Sequence, residues 1–356
     1  MLDKITELSH EYGTPEYIQG GGGNTSAKNE ETLWVKPSGT TLAELTEDMF
    51  VAMDRQKLGK LFETEMPVES SAREAAVMDL MMAAMYPYSS GRPSVEAPLH
   101  DTLDATFVVH THPQLVNGMT CAKNGFEVCK RLFPEALWVE YVDPGYTLCS
   151  VIRGRIKDYV ASKGHQPEMV IIENHGIFVA SHTAGGIRKI YKTVMNGLRK
   201  EYKKEKVSPH LEVGVPPSAT LKEEITKVLQ KVMGKEAEGV CASGAFKVAS
   251  GPLTPDHVVF MKSYPLIGDP TAKVLTAFKA QYGYFPKVIS VKDGVFTVGP
   301  NEKNAELTMR FAKDGALVEQ LANGLAGVKY MSEQARGFIE NWEVEVYRQK
   351  VAMGKT

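Results

Sequence analysis

Apolar residues along the first two hundred positions recur as short continuous runs alternating with helical spacings. Leu2, Ile5 and Leu8 share one face of an N-terminal helix. Leu33-Trp34-Val35 predicts a strand, followed by the turn residues Pro37-Ser38-Gly39. Residues 72–86, rich in Ala, Met and Leu, predict a strongly buried helix. Further buried strands are expected at 106–110, 138–142 and 169–173. Strands separated by helices predict an α/β layered domain over residues 1–205.

The periodicity then breaks. Residues 206–218 (KVSPHLEVGVPPS) are Pro-rich and aperiodic, as in a linker. Thr220 and Glu223 have capping-box spacing ahead of the apolar series Leu221, Ile225, Val228, Leu229 and Val232. Residues 288–291 and 295–298 read as two strands, with Asp293-Gly294 as the hairpin signal between them. A helical stretch is expected over about 305–347. Residues 219–356 therefore predict a second, smaller α+β domain. No internal repeat or low-complexity segment interrupts this division.

Composition narrows the function. The chain has 356 residues, 43% hydrophobic and 24% charged, enough to bury a large core without staples. With 41 basic and 43 acidic residues the net charge is −2, which gives no global attraction to nucleic acid or anionic membranes. The N-terminus has no apolar signal-peptide core, and no apolar run is long enough to span a bilayer. The four cysteines lack paired metal spacing and read as reduced thiols of a cytoplasmic protein.

Three of the nine histidines stand out. His110 and His112 follow the apolar run FVV, and residues i and i+2 of a strand share a face. His175 follows the apolar run MVIIEN and precedes Gly176. Three imidazoles with an open fourth position are a catalytic zinc arrangement. Such a shell favours zinc or another late first-row divalent ion over Mg²⁺. An isolated H-x-H is also what two solvated imidazoles at a strand end look like. His10, His165, His182 and His210 lie in polar contexts and read as surface residues. Glu96, an acid in an otherwise uncharged stretch, suits a fourth ligand or general base, and equally a carboxylate at a helix N-terminus. Gly20 to Gly23 with Asn24, Thr25 and Ser26 would expose backbone N–H groups able to cradle an anion, and would equally make a flexible turn. Lys36-Pro37-Ser38-Gly39-Thr40 is a second loop of that chemistry.

These pieces in order resemble the class II aldolase/adducin family. The resemblance rests on Gly23-Asn24-Thr25-Ser26, Lys36-Pro37-Ser38-Gly39, Ser94-Val95-Glu96 with His100, His110-Thr111-His112-Pro113 and Asn174-His175-Gly176, within roughly residues 1–205. It implies a three-layer α/β/α domain, commonly assembled as a homotetramer. It also implies that His110, His112 and His175 hold Zn²⁺ and that Glu96 is the acid–base residue. Asn24, Thr25, Ser38, Gly39 and Ser94 would bind substrate, with a phosphate held in its family position. Tyr141, in Tyr-Val-Asp-Pro-Gly145, matches a segment that carries a proton-donating tyrosine. The implied activity is that of a lyase: metal-dependent cleavage or formation of a carbon–carbon bond in a ketose, through a metal-stabilised enediolate.

Two departures matter. Glu96 and His110 stand 14 positions apart, a spacing more like the aldolase part of rhamnulose-phosphate aldolase/alcohol dehydrogenase proteins. Those proteins also have segments similar to residues 251–257 and 341–348. The sequence stops at Thr356, where their dehydrogenase part would begin, and no dinucleotide fingerprint occurs elsewhere, so no hydride chemistry is expected. The second departure is Val95, where many relatives have a hydroxyl; it removes one phosphate contact. Epimerase, dehydratase and decarboxylase outcomes use the same apparatus, and an adducin-type scaffold would use the fold without metal. Residues 219–356 are expected to play a supporting role, with His257, Lys262 and Arg348 as their candidates for substrate contact.

Overall fold

In the computed structural model, which describes residues 1–342, the first seven strands form one sheet. They are β1 (Asn24–Lys28), β2 (Thr32–Val35), β3 (Val51–Asp54), β4 (Phe107–Thr111), β5 (Leu137–Val139), β6 (Met169–Ile172) and β7 (Gly176–Ser181). Their order is β3-β2-β1-β4-β7-β6-β5, antiparallel except for the β5–β6 pair.

Alternation along each strand sends side chains to two helical layers. On one face the helix Leu2–Tyr12 meets β1 through a 2.7 Å contact between the Ser9 and Thr25 hydroxyls. Tyr191, from the helix Ala184–Lys204, stacks on Tyr12 at 4.2 Å and reaches the Thr111 hydroxyl at 2.6 Å. On the other face Leu99, Leu148, Ile152 and Ile156 pack against Val108, Val170, Ile172 and Phe178. The result is the three-layer α/β/α arrangement that the family resemblance implies.

Local departures have physical causes. The helix expected over 72–86 spans Ser70–Ala83, capped by Glu69, whose carboxylate accepts from Ser71 N and Ala72 N. It buries only Val77 and Met81, because its small and apolar residues run around the whole circumference and the rest of the chain covers one stripe. Met82 is 45% exposed. β5 ends at Val139, short of the expected 142, and the chain turns at Gly145 (φ +97°) into the helix Tyr146–Lys163.

The described residues divide into two compact units, one of Met1–Thr120 with Asn124–Lys200, the other of Cys121–Lys123 with residues 201–342. Cys121–Lys123 joins the second unit through backbone bonds from Lys123 N to Gly327 O and from Lys329 N to Cys121 O. The second unit's sheet consists of β8 (Gly239–Ser243), β9 (Leu266–Ile267), β10 (Val288–Val291) and β11 (Gly294–Gly299), in the order β8-β11-β10-β9. The expected hairpin is β10–β11; its register pairs Val291 with Gly294, so Lys292 and Asp293 make the turn, one residue earlier than Asp293-Gly294. The helix Ala219–Met233 is capped by Ser218, whose hydroxyl accepts from Leu221 N, so the cap sits two residues before Thr220. The stretch expected as one helix over 305–347 is two, Glu302–Leu325 and Glu333–Asn341, parted near Gly327 (φ +95°); its end lies outside the described residues. No helix among the described residues is long and apolar enough to cross a membrane.

Candidate metal and acid–base site

One end of the central strands β1, β4 and β7 gathers the chemistry. Register pairs Asn24, at the start of β1, with His110, near the end of β4, and Thr111 with Ile177, at the start of β7. His112 follows β4 immediately, and its backbone N–H donates to Tyr17 O at 2.9 Å. His175 sits in the tight β6–β7 turn, where Asn174 adopts φ +51°, a left-handed conformation that Asn tolerates. Sequence-distant imidazoles thus meet because three strand ends lie side by side.

The donor atoms of His110, His112 and His175 all lie within 4.8 Å of one another. The Nε2 atoms of His110 and His112 are 2.9 Å apart. Tetrahedral imidazole nitrogens about 2.0 Å from one ion stand about 3.3 Å apart, so this donor set fits a shared divalent ion. His110 Nδ1 lies 3.0 Å from Ile177 O, which aims Nε2 at the group, and its ring stacks on Phe178 at 3.8 Å. Burial holds the His110 imidazole well below its ordinary pKa, so it presents a neutral lone pair.

Glycine makes the close approach achievable. A Cβ on Gly176 would stand 2.6 Å from His112 Cδ2 and 2.6 Å from Thr111 O. Gly23 has φ +62°, and a Cβ there would stand 2.7 Å from His110 O.

Glu96, 4% exposed, precedes the helix Ala97–Thr102 and faces the histidines. Its Oε2 is 3.6 Å from His110 Nε2 and its Oε1 is 3.8 Å from His175 Nε2. Asn24 Nδ2 donates to Glu96 Oε2 at 2.7 Å. Asn24 therefore lies beside the carboxylate rather than only in an anion loop. Ser94 lies close by, and its hydroxyl accepts from Glu96 N at 3.3 Å. The loop of Ser38 and Gly39 adjoins both neighbours: Ser38 N donates to Arg92 O, and the Lys36 ammonium donates to Gly21 O and Pro37 O.

Two expected residues are placed apart from this group. Thr25 points to the opposite face of β1, with its hydroxyl on Ser9, because side chains alternate. Tyr141 follows β5 at the same strand end at which His175 follows β6, but no hydrogen bond links its hydroxyl to Glu96 or the histidines. Its hydroxyl is buried beside Asp143, and burial with that carboxylate raises its pKa, so it stays protonated. In the second unit, His257 is buried between the Thr254 hydroxyl at 2.8 Å and Asp314 Oδ2 at 3.0 Å, a structural tie between two helices. The Lys262 ammonium sits 5.3 Å from the Tyr284 ring centroid. Arg348 lies outside the described residues. His10, His165, His182 and His210 are exposed, as expected.

Sequence reasoning named Ser26 and His100 within motifs but gave them no role, and it passed over Lys28. Ser26 Oγ lies 2.7 Å from His100 Nδ1, His100 Nε2 contacts Asn24 Oδ1, and Lys28 Nζ donates to His100 O at 2.7 Å. The available signals were the two-residue spacing of Asn24 and Ser26 on a strand and the four-residue spacing of Glu96 and His100 on a helix.

Residues 3–187 match the family profile described as Class II Aldolase and Adducin N-terminal domain. The chain belongs to the class II aldolase/adducin family. It is similar to the Bacillus subtilis protein described as "Uncharacterized oxidoreductase YuxG", with 23% identity over 398 residues; the match covers 93% of this chain and 55% of that protein. The chain thus spans about half the length of that relative. Among solved structures it is similar to the N-terminal class II aldolase domain of a conserved protein from Thermoplasma acidophilum, at 23% identity and TM-score 0.48, covering 56% of this chain and 92% of that one. It is also similar to L-fuculose-1-phosphate aldolase from Thermus thermophilus, at 14% identity and TM-score 0.36, covering 57% and 94%.

Proposed function

We propose that this protein is a zinc-dependent lyase that cleaves or forms a carbon–carbon bond in a ketose, with a ketose 1-phosphate as the substrate class. The observation that carries the reading is the Glu96 carboxylate, buried within 3.6 Å of His110 Nε2 and 3.8 Å of His175 Nε2. A carboxylate so placed suits proton transfer at a carbon beside a polarised carbonyl. A divalent ion held by His110, His112 and His175 supplies Lewis-acid polarisation of a carbonyl.

The remaining roles belong to the chain's own residues. Ile177 O orients the His110 ring through Nδ1. Glu96 removes or returns the proton at the carbon next to the carbonyl, held in place by the Asn24 amide. Tyr141, kept protonated by burial beside Asp143, is assigned as a second proton donor on the family resemblance and not on any contact with Glu96 or the histidines. Ser38, Gly39 and Ser94 hold the substrate phosphate, with Asn24 at the junction, while Thr25 supports β1 from behind. An adducin-type scaffold has no use for three convergent imidazoles around a buried carboxylate. Residues 219–356 are assigned a supporting role without a second active site.

The wider expectations fit this reading. The four cysteines are free, three of them buried, which suits a cytoplasmic enzyme. The helix Ser70–Ala83 leaves Met82 exposed, and Tyr88, beyond its end, is 75% exposed; this supports a homo-oligomer that covers them. The test is metal analysis of purified protein together with a screen of ketose 1-phosphates and their unphosphorylated forms for aldehyde release. Stoichiometric zinc with retro-aldol turnover is expected. Metal-free protein, or turnover only of sugar acids with loss of water or CO₂, would overturn the reading.

A further inference from the structure

His100, next to the candidate site, is fully buried, with no exposure. It stands behind Asn24, which stands behind Glu96, and with Glu96 in its ionised, proton-accepting form the hydrogen bonds between them admit one consistent assignment. An ionised carboxylate only accepts, so the Asn24 group facing Glu96 Oε2 at 2.7 Å is the NH₂. The Asn24 carbonyl oxygen is thereby turned to His100 Nε2 and needs a donor. His100 must carry its proton on Nε2, which leaves Nδ1 an acceptor for the Ser26 hydroxyl at 2.7 Å. Lys28 pins the backbone carbonyl of the same residue at 2.7 Å.

We propose that His100 is a positioning residue: as the neutral Nε2–H tautomer it locks the Asn24 amide in the orientation that donates to Glu96, an inference resting on the acid–base reading of Glu96 above. Burial supports the neutral form by pushing the imidazole pKa down to about 3. The relay uses adjacent features of the fold. Asn24 and Ser26 share a face of β1, and Glu96 and His100 bracket one turn at the start of a helix. Without the Nε2–H donor, the Asn24 amide is free to rotate. Its oxygen would then face the carboxylate and repel it. Because the relay acts through the Asn24–Glu96 bond, it predicts an effect on the proton-transfer step larger than any on ground-state binding, and none on metal.

Two substitutions separate this role from simple packing. His100→Leu fills the space without a donor; His100→Gln restores an N–H toward Asn24 and an acceptor toward Ser26. Expected are unchanged metal content in both, a kcat loss of about 10-fold or more for Leu with a smaller change in KM, and recovery of most of the kcat loss by Gln. In the wild-type protein, ¹⁵N-detected imidazole resonances should show His100 as the Nε2–H tautomer at neutral pH. An Nδ1–H tautomer or a charged ring would overturn the proposal, as would equal kcat values for wild type and His100→Leu. A crystal structure of His100→Leu in which Asn24 and Glu96 keep their 2.7 Å bond would overturn it whichever reaction the site runs. These structural readouts distinguish failure of the relay from failure of the aldolase reading, which the substrate screen tests.

Discussion

Asn24 and Glu96 lie 72 residues apart in the chain and are joined by a 2.7 Å hydrogen bond at the end of the central strand β1, with Asn24 as donor. This bond links a loop of anion-binding composition to the group proposed to move protons. Asn24→Ala is therefore expected to lower kcat as well as raise KM, whereas Ser38→Ala should raise KM for phosphorylated substrates alone. Steady-state kinetics on paired phosphorylated and neutral ketoses checks both. A pure KM effect at Asn24 would mean that the bond to Glu96 is incidental to turnover.

His110, His112 and His175 should each be indispensable for metal. Replacement by Ala leaves two imidazoles, and both zinc content and turnover are expected to fall to background. Chelation of the wild-type protein should give the same loss, reversed by added zinc. Full metal occupancy in His175→Ala would remove that residue from the ligand set.

Much of this site was legible in the sequence because its motifs fall at strand ends. His110 and His112 follow the run FVV, and His175 follows MVII; continuous apolar runs of this kind mark buried strands. β1 was not legible. Its residues Asn24–Lys28 are all buried, yet only Ala27 is apolar. Asn24, Thr25, Ser26 and Lys28 satisfy their polar groups on Glu96, Ser9 and His100, a solution that hydrophobic patterning does not reveal. Missing β1 also hid the alternation that turns Thr25 away from the site and Ser26 toward His100. The exposure of the helix Ser70–Ala83 escaped for the opposite reason: its composition reads as core, while only a stripe of it is covered within one chain.

Gly176 admits no side chain. Gly176→Ala would press a methyl against Thr111 O and the His112 ring, both 2.6 Å from the Cβ position. A stability loss of about 1–3 kcal/mol is expected, from overpacking. Zinc affinity should fall too, because the ring that must move is a proposed ligand. Chemical unfolding of metal-free protein and a competitive zinc titration read the two effects separately. Unchanged values in both would show that the turn relaxes freely.

Glu96→Gln preserves volume and removes the titrating group. Metal content should hold, and kcat should fall by about 10² or more, the ordinary scale for loss of a general acid–base residue. Retained turnover would reduce Glu96 to a structural carboxylate.

The last prediction concerns acid stability. Burial lowers the folded-state pKa of His100 from 6.5 to about 3. Between those values the unfolded chain binds a proton that the folded chain refuses, so protonation favours unfolding. The stabilisation is fully present above about pH 6.5 and is lost as pH falls toward 3, with a slope of at most about 1.4 kcal/mol per pH unit from this one group. Other groups titrate in the same window, so the difference between proteins is the informative quantity. Urea unfolding of metal-free wild type and His100→Gln, at pH values from about 4 to about 7, isolates it, because Gln cannot take up the proton. The stability gap between the two should shift in favour of the Gln variant as pH falls. A gap independent of pH would show that the imidazole is protonated in the folded protein as readily as in the unfolded chain.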